Sequence, residues 1–105
     1  MSKYFEEQTA TIAASGTTSD EVDLQENCDY ARIIIPTIDS ATVKLTVCGT
    51  SGGTFVNLGN SVTTATTTGN YATMFKVGGY RYVKVVVSAA QTTGAVAFKL
   101  MGMKI

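Results

Sequence analysis

Apolar and polar residues alternate with a period of two through most of this chain, and the apolar ones are largely β-branched or aromatic. Side chains on an extended strand point to opposite faces in turn, so the pattern predicts half-buried strands and leaves helical periodicity hard to find. The stretch KLTVCGTSGGTFVNL, Lys44 to Leu58, shows the unit. Val43, Leu45 and Val47 share an inward face against outward Lys44 and Thr46. GTSGGT then reverses the chain, because consecutive glycines accept the backbone a tight turn requires. FVNL returns with Val56 and Leu58 on one face, which completes a β-hairpin.

The same reading extends along the chain. QTATIAA (Gln8 to Ala14) predicts a first strand, SGTTSD a turn, and EVDL a second strand or extended edge, followed by the polar stretch QENCD. YARIIIPTI places Ala31, Ile33 and Ile35 on one face and Tyr30, Arg32 and Ile34 on the other, with burial on both faces plausible. Pro36, the single proline, cannot donate to a ladder and should end that strand or sit at an edge. GNSVTTATTTGN reads as a threonine-rich edge strand or long loop, YATMFKV as a strand, and GGYRYVKVVV as a stronger one after a Gly78-Gly79 turn. In the final strand, AVAFKLMGMKI, Val96, Phe98 and Leu100 share a face. About eight short strands with such punctuation imply an all-β domain, a single antiparallel β-sandwich of jelly-roll type.

At 105 residues there is room for one hydrophobic core and not for two. Residues 8–105 are assigned to one domain, and residues 1–7 to an N-terminal arm free to move. With 45% hydrophobic and 15% charged residues the chain is expected to fold. No apolar run approaches the roughly 20 residues of a membrane span. The acidic start MSKYFEEQ is unlike a signal peptide, so synthesis in a cytoplasm is expected.

Histidine is absent. That removes the usual general base, the Ser-His and Cys-His nucleophile pairs and most zinc sites, and points away from an enzyme. GTSGG is not a GxSxG nucleophile elbow, and no motif singles out a Ser-Lys pair. Cys28 and Cys48 are far from CxxC spacing and are expected to be reduced packing residues.

Charge is unevenly placed. All eight acids precede residue 40, where Lys3 and Arg32 are the only bases, giving −6; Lys44, Lys76, Arg81, Lys84, Lys99 and Lys104 give the remainder +6. Either strands of the two halves interleave and pair their charges, or a dipolar subunit meets complementary patches on its neighbours. The bases are scattered singly through apolar strands, which argues against a nucleic-acid groove.

Candidate interaction residues follow from local pattern. DEVDLQENCD gathers Asp20, Glu21, Asp23, Glu26 and Asp29, but without the glycine-bearing spacing of a calcium loop, so a solvated acidic edge is expected and no metal. Tyr80 and Tyr82 alternate with Arg81 and Val83 and lie beside Lys84. Their rings offer either a platform for sugars or an ordinary half-exposed sheet face. Tyr4 and Phe5 in the arm are placed to pack on a neighbour.

Three pieces, TATIAASGTTSDEVDL, DYARIIIPTIDSATVKLTVCGTSGGTFVNL and YRYVKVVVS, occur in an order that resembles small β-sandwich virion proteins of tailed bacteriophages. The likeness covers most of residues 8 to 90. It implies a head decoration or cement protein bound to the major capsid protein or other virion subunits, homo-oligomeric on the particle and displayed on the capsid surface. No cofactor, nucleic acid or membrane partner is implied. The alternatives are a neck, tail or fibre-attachment adaptor, and a carbohydrate-binding module.

Overall fold

The computed structural model describes residues 3–62 and 66–104. Six strands follow in order: β1 (Lys3–Ile12), β2 (Val22–Ile35), β3 (Val43–Cys48), β4 (Val56–Val62), β5 (Tyr71–Val87) and β6 (Val96–Lys104). They form one antiparallel sheet in the order β1-β6-β2-β5-β3-β4. No helix occurs among the described residues. The expectation of about eight short strands is therefore corrected to six, hydrogen-bonded in one antiparallel sheet.

The difference has a local cause. EVDL and YARIII are the two ends of a single 14-residue strand, and YATMFKV and YRYVKVVV are the two ends of a single 17-residue strand. Gly78-Gly79 does not reverse the chain. Its φ angles of +75° and +94° put a kink inside β5 that side-chain-bearing residues resist. Opposite it, Gln25 adopts φ +81° within β2. The register records the consequence. Asp23 faces Tyr82, the next pairing is Cys28 with Tyr80, and the next Tyr30 with Lys76. Extra residues thus fall first on β2 and then on β5, two offsetting bulges that bend both strands at one level.

Bending is what lets a single sheet bury a core. A flat sheet this size would leave both faces wet, whereas here one face is dry along every strand except β4. Ala10, Ile12, Ile33, Phe98 and Leu100 come from one side of the kinks, and Leu24, Leu45, Val47, Val83 and Val85 from the other; all join one buried cluster. Ala31, Ile33 and Ile35, and Val43, Leu45 and Val47, are buried as their alternation predicts. Leu58 packs on the core, but Val56 stays 54% exposed because β4 is the sheet's outer strand. β2 ends at Ile35, one residue before Pro36.

The stretch set apart as an arm belongs to the sheet from Lys3 onward, with Lys3 opposite Lys104 and Tyr4 opposite Met103. Of the threonine-rich stretch 59–70, residues 59–62 continue β4, while 63–65 lie outside the described residues.

Candidate interaction surface

Register fixes which side chains share the outer face, because directly opposed residues of an antiparallel pair point the same way. Across β1, β6, β2 and β5 one row reads Tyr4, Met103, Tyr30, Lys76. The next reads Glu7, Met101, Arg32, Met74, and the third Thr9, Lys99, Ile34, Ala72. Exposure there is high for apolar groups: Tyr4 65%, Met74 55% and Ile34 38%. Arg32 extends past Met101 to donate from Nη2 to Glu7 Oε2 at 2.7 Å. Its Nε is buried and, among the described residues, has no hydrogen-bond acceptor. The face therefore carries methionine, tyrosine and isoleucine around one neutralised ion pair, with Lys76 and Lys99 adding positive charge.

A second group lies around the kink and gathers most of the residues singled out by pattern. Asp23 on β2 accepts two bonds from the Arg81 guanidinium, at 2.7 Å and 2.9 Å. That pairing holds the Asp23 carboxyl below the usual carboxylate range and raises Arg81. Arg81 also lies 5.2 Å from the Tyr82 ring, and Lys84 caps the Phe55 ring at 4.7 Å. Glu21 accepts the Gly52 N–H and the Ser51 hydroxyl at 2.7 Å and 2.6 Å, which lowers its pKa and pins the β3–β4 turn to the start of β2.

The structure thus brings Glu21, Asp23, Arg81, Tyr82 and Lys84 into one neighbourhood, with Tyr80 exposed beside it on β5. It keeps Asp20 apart, where Oδ1 accepts the Thr11 N–H at 2.9 Å. Phe5 turns onto the core while Tyr4 faces outward. Among the described residues no set of three acidic, cysteine or histidine side chains converges as a metal site. Glu26 is instead held between Lys3 and Lys104, whose bonds lower its pKa. Charges of the two halves do interleave. Asp23–Arg81 and Glu26–Lys104 join them, whereas Arg32–Glu7 and Lys3–Glu26 lie within the first half. Cys28 and Cys48 are both free and buried, and burial pushes the Cys28 thiol up.

Sequence reasoning missed Tyr30, Ile34, Met74, Met101 and Met103 as surface residues. The outward set Tyr30, Arg32 and Ile34 was visible in the alternation, but nothing local said that the second face stays uncovered.

At one end of the sheet the β2–β3 and β5–β6 connections enclose a cavity of about 330 Å³, lined by Ile38, Asp39, Thr93, Gly94 and Val96 among others. Gln91, buried below it, donates its amide to the Asp39 carbonyl at 3.2 Å and accepts the Asp39 N–H at 2.8 Å.

No protein-family model matches the sequence, and no curated protein matches it. Solved structures do share the fold. The SPBc2 prophage-derived protein YomS is 16% identical with a TM-score of 0.59, over 94% of each chain. The PBSX exported protein XepA is 16% identical with a TM-score of 0.60; the match takes 98% of this chain and 38% of that one. Chitosan-binding module 1 of the chitosanase/glucanase from Paenibacillus sp. IK-5 is 14% identical with a TM-score of 0.55, over 89% of this chain and 75% of that one. At these identities the likeness defines a fold shared by prophage-derived proteins and carbohydrate-binding modules.

Proposed function

We propose that the chain is a non-enzymatic structural subunit of a phage particle, a capsid decoration protein that binds the head lattice through the outer face of β1, β6, β2 and β5. The observation that carries this reading is the exposure of Tyr4, Met74 and Ile34, one from each of the three rows, on the face opposite the buried core. Several apolar side chains exposed on one face of a small domain mark a protein-binding site. Lys99 suits a partner that adds acidic groups, and the Glu7–Arg32 pair gives it a fixed polar feature to match. Repetition over a lattice turns a modest patch into strong attachment, and binding only the assembled shell stabilises it by mass action. The fold shared with YomS and XepA agrees with a phage origin.

The test is incorporation. Ile34→Asp with Met74→Asp leaves the core untouched and should fold normally, yet disappear from purified particles as judged by quantitative mass spectrometry against the major capsid protein. Unchanged incorporation would overturn the role of this face. Unchanged resistance of stripped particles to heat and osmotic shock would overturn cementing, and about a dozen copies per particle would move the protein to the neck or tail.

A carbohydrate-binding role is the second reading. It has its own observation in the end cavity, together with the fold shared with a chitosan-binding module.

A further inference from the structure

The cavity between the β2–β3 and β5–β6 connections is built from unusually well-fixed loops. Gln91 is 1% exposed, and both ends of its side-chain amide are bonded. Its side chain bonds Asp39 at both N–H and carbonyl and reaches Ala89 O at 3.1 Å, while its backbone exchanges bonds with Ser15 and Gly16. Three connections are thereby stitched to one residue, two through its side chain and one through its backbone. A loop pocket held this way does not have to order itself when a ligand arrives.

Its chemistry is one-sided. The Asp39 carboxylate accepts the Thr93 hydroxyl at 2.6 Å on Oδ1, and the Thr93 N–H at 3.0 Å and Thr92 hydroxyl at 3.2 Å on Oδ2. These bonds keep Asp39 ionised by lowering its pKa. They also commit the Thr93 hydroxyl proton to Asp39, so the lone pairs of that oxygen, with one remaining position on Oδ1, are left to accept from a ligand. Neither lysine nor arginine lines the cavity. Ile38, Ala95 and Val96 supply the apolar part of the lining. A volume of about 330 Å³ lies at the small end of ligand sites, enough for one ring and too little for a chain.

We propose that this cavity binds a single sugar unit presenting hydroxyl or ammonium donors, an amino sugar before a neutral hexose and a neutral hexose before a uronic acid. The ring's C–H face lies on the apolar part of the lining, its donors meet Asp39 and Thr93, and the anionic carboxylate turns away acidic sugars. This assignment rests on the carbohydrate reading and is independent of attachment to the particle.

The experiment is an amide-NMR titration of the full chain with glucosamine, glucose and glucuronate. Saturable shifts at Asp39, Thr93, Gly94 and Val96 are expected, strongest with glucosamine and absent with glucuronate. Asp39→Asn should weaken glucosamine binding at least about tenfold, the scale of one lost charge-assisted bond. Because that change also loosens the loops, Gly94→Val is the second variant. A Cβ at Gly94 meets no atom within 4 Å, so the added side chain fills open space and should block binding with the Asp39 bonds intact. Absence of saturable shifts at these amides with any of the three sugars, or equal binding of glucuronate, would overturn the site. Sugar-dependent shifts confined to Tyr80 and Tyr82 would keep the carbohydrate reading and overturn the cavity.

Discussion

Arg81 grips Asp23 at two points, Nε to Oδ1 at 2.7 Å and Nη2 to Oδ2 at 2.9 Å, immediately to one side of the level where β2 and β5 bend. Asp23 is two residues before the positive-φ Gln25, and Arg81 two after Gly79. A planar guanidinium meeting a carboxylate edge-on fixes orientation as well as distance, so the pair holds β2 and β5 in alignment where the bend begins.

Acid should loosen this arrangement. Asp23, Glu21 and Glu26 all have folded-state pKa values below their ordinary 3.8 and 4.5. A carboxyl with a depressed folded pKa is protonated first in the unfolded chain, so its contribution is complete above the ordinary value and is lost as pH falls through the folded one. Urea midpoints are expected to hold from neutrality to about pH 5 and then fall steadily. Asp23→Asn should lower the neutral midpoint and flatten part of the acid slope. A variant with the wild-type slope would show that the pair contributes nothing to folding.

Gly79→Val tests the kink. With φ at +94°, a β-branched residue there is forced into a region that costs about 1–2 kcal/mol or more. Gly94→Val, at a glycine without positive φ, is the control expected to change stability little. Equal midpoints for the two variants in urea would mean that β5 bends without help from its glycines.

Gly102 and Cys28 should couple. A Cβ added at Gly102 would meet Cys28 Sγ at 2.6 Å and Leu24 Cβ at 3.2 Å. Gly102→Ala is therefore an overpacking change, costing about 1–3 kcal/mol. Cys28→Ala removes the sulfur, so the double variant should recover part of that loss. Strict additivity in a double-mutant cycle would place the strain elsewhere.

The outer edge of β1 is capped by side chains, with Gln25 Oε1 accepting the Glu6 N–H at 3.1 Å and Asp20 Oδ1 the Thr11 N–H at 2.9 Å. An uncapped edge is a template for strand addition. Gln25→Gly combined with Asp20→Ala removes both caps while easing the backbone at position 25. Concentration-dependent association in light scattering is expected of the double variant, and elution unchanged from wild type at every concentration would refute the capping role.

Much of the fold was legible residue by residue. Ile33, Leu45 and Phe98 were placed inward by a period of two, Pro36 marked the end of β2, and the Gly-Gly turn after Cys48 marked the hairpin. The candidate surface was legible only in part. Glu21, Asp23, Arg81, Tyr82 and Lys84 were each singled out by residue type, but Arg81 and Asp23 are 58 residues apart and their pairing depends on how β2 and β5 align. Phe5 and Tyr4 were read together as arm residues, whereas an irregularity in the β1–β6 pairing between Tyr4 and Glu7 accompanies their opposite fates.

Sequence by itself determined that the chain is all-β and which side of most strands is apolar, because these depend on alternation and turn chemistry within a few residues. Tertiary structure decided the rest. Whether Gly78-Gly79 reverses a strand or merely bends it depends on which neighbour takes up the backbone hydrogen bonds on either side, and that choice is made by β2 and β3 from far along the chain. The same long-range pairing, by bending one sheet over its own core, leaves Tyr4, Ile34 and Met74 exposed on the outer face.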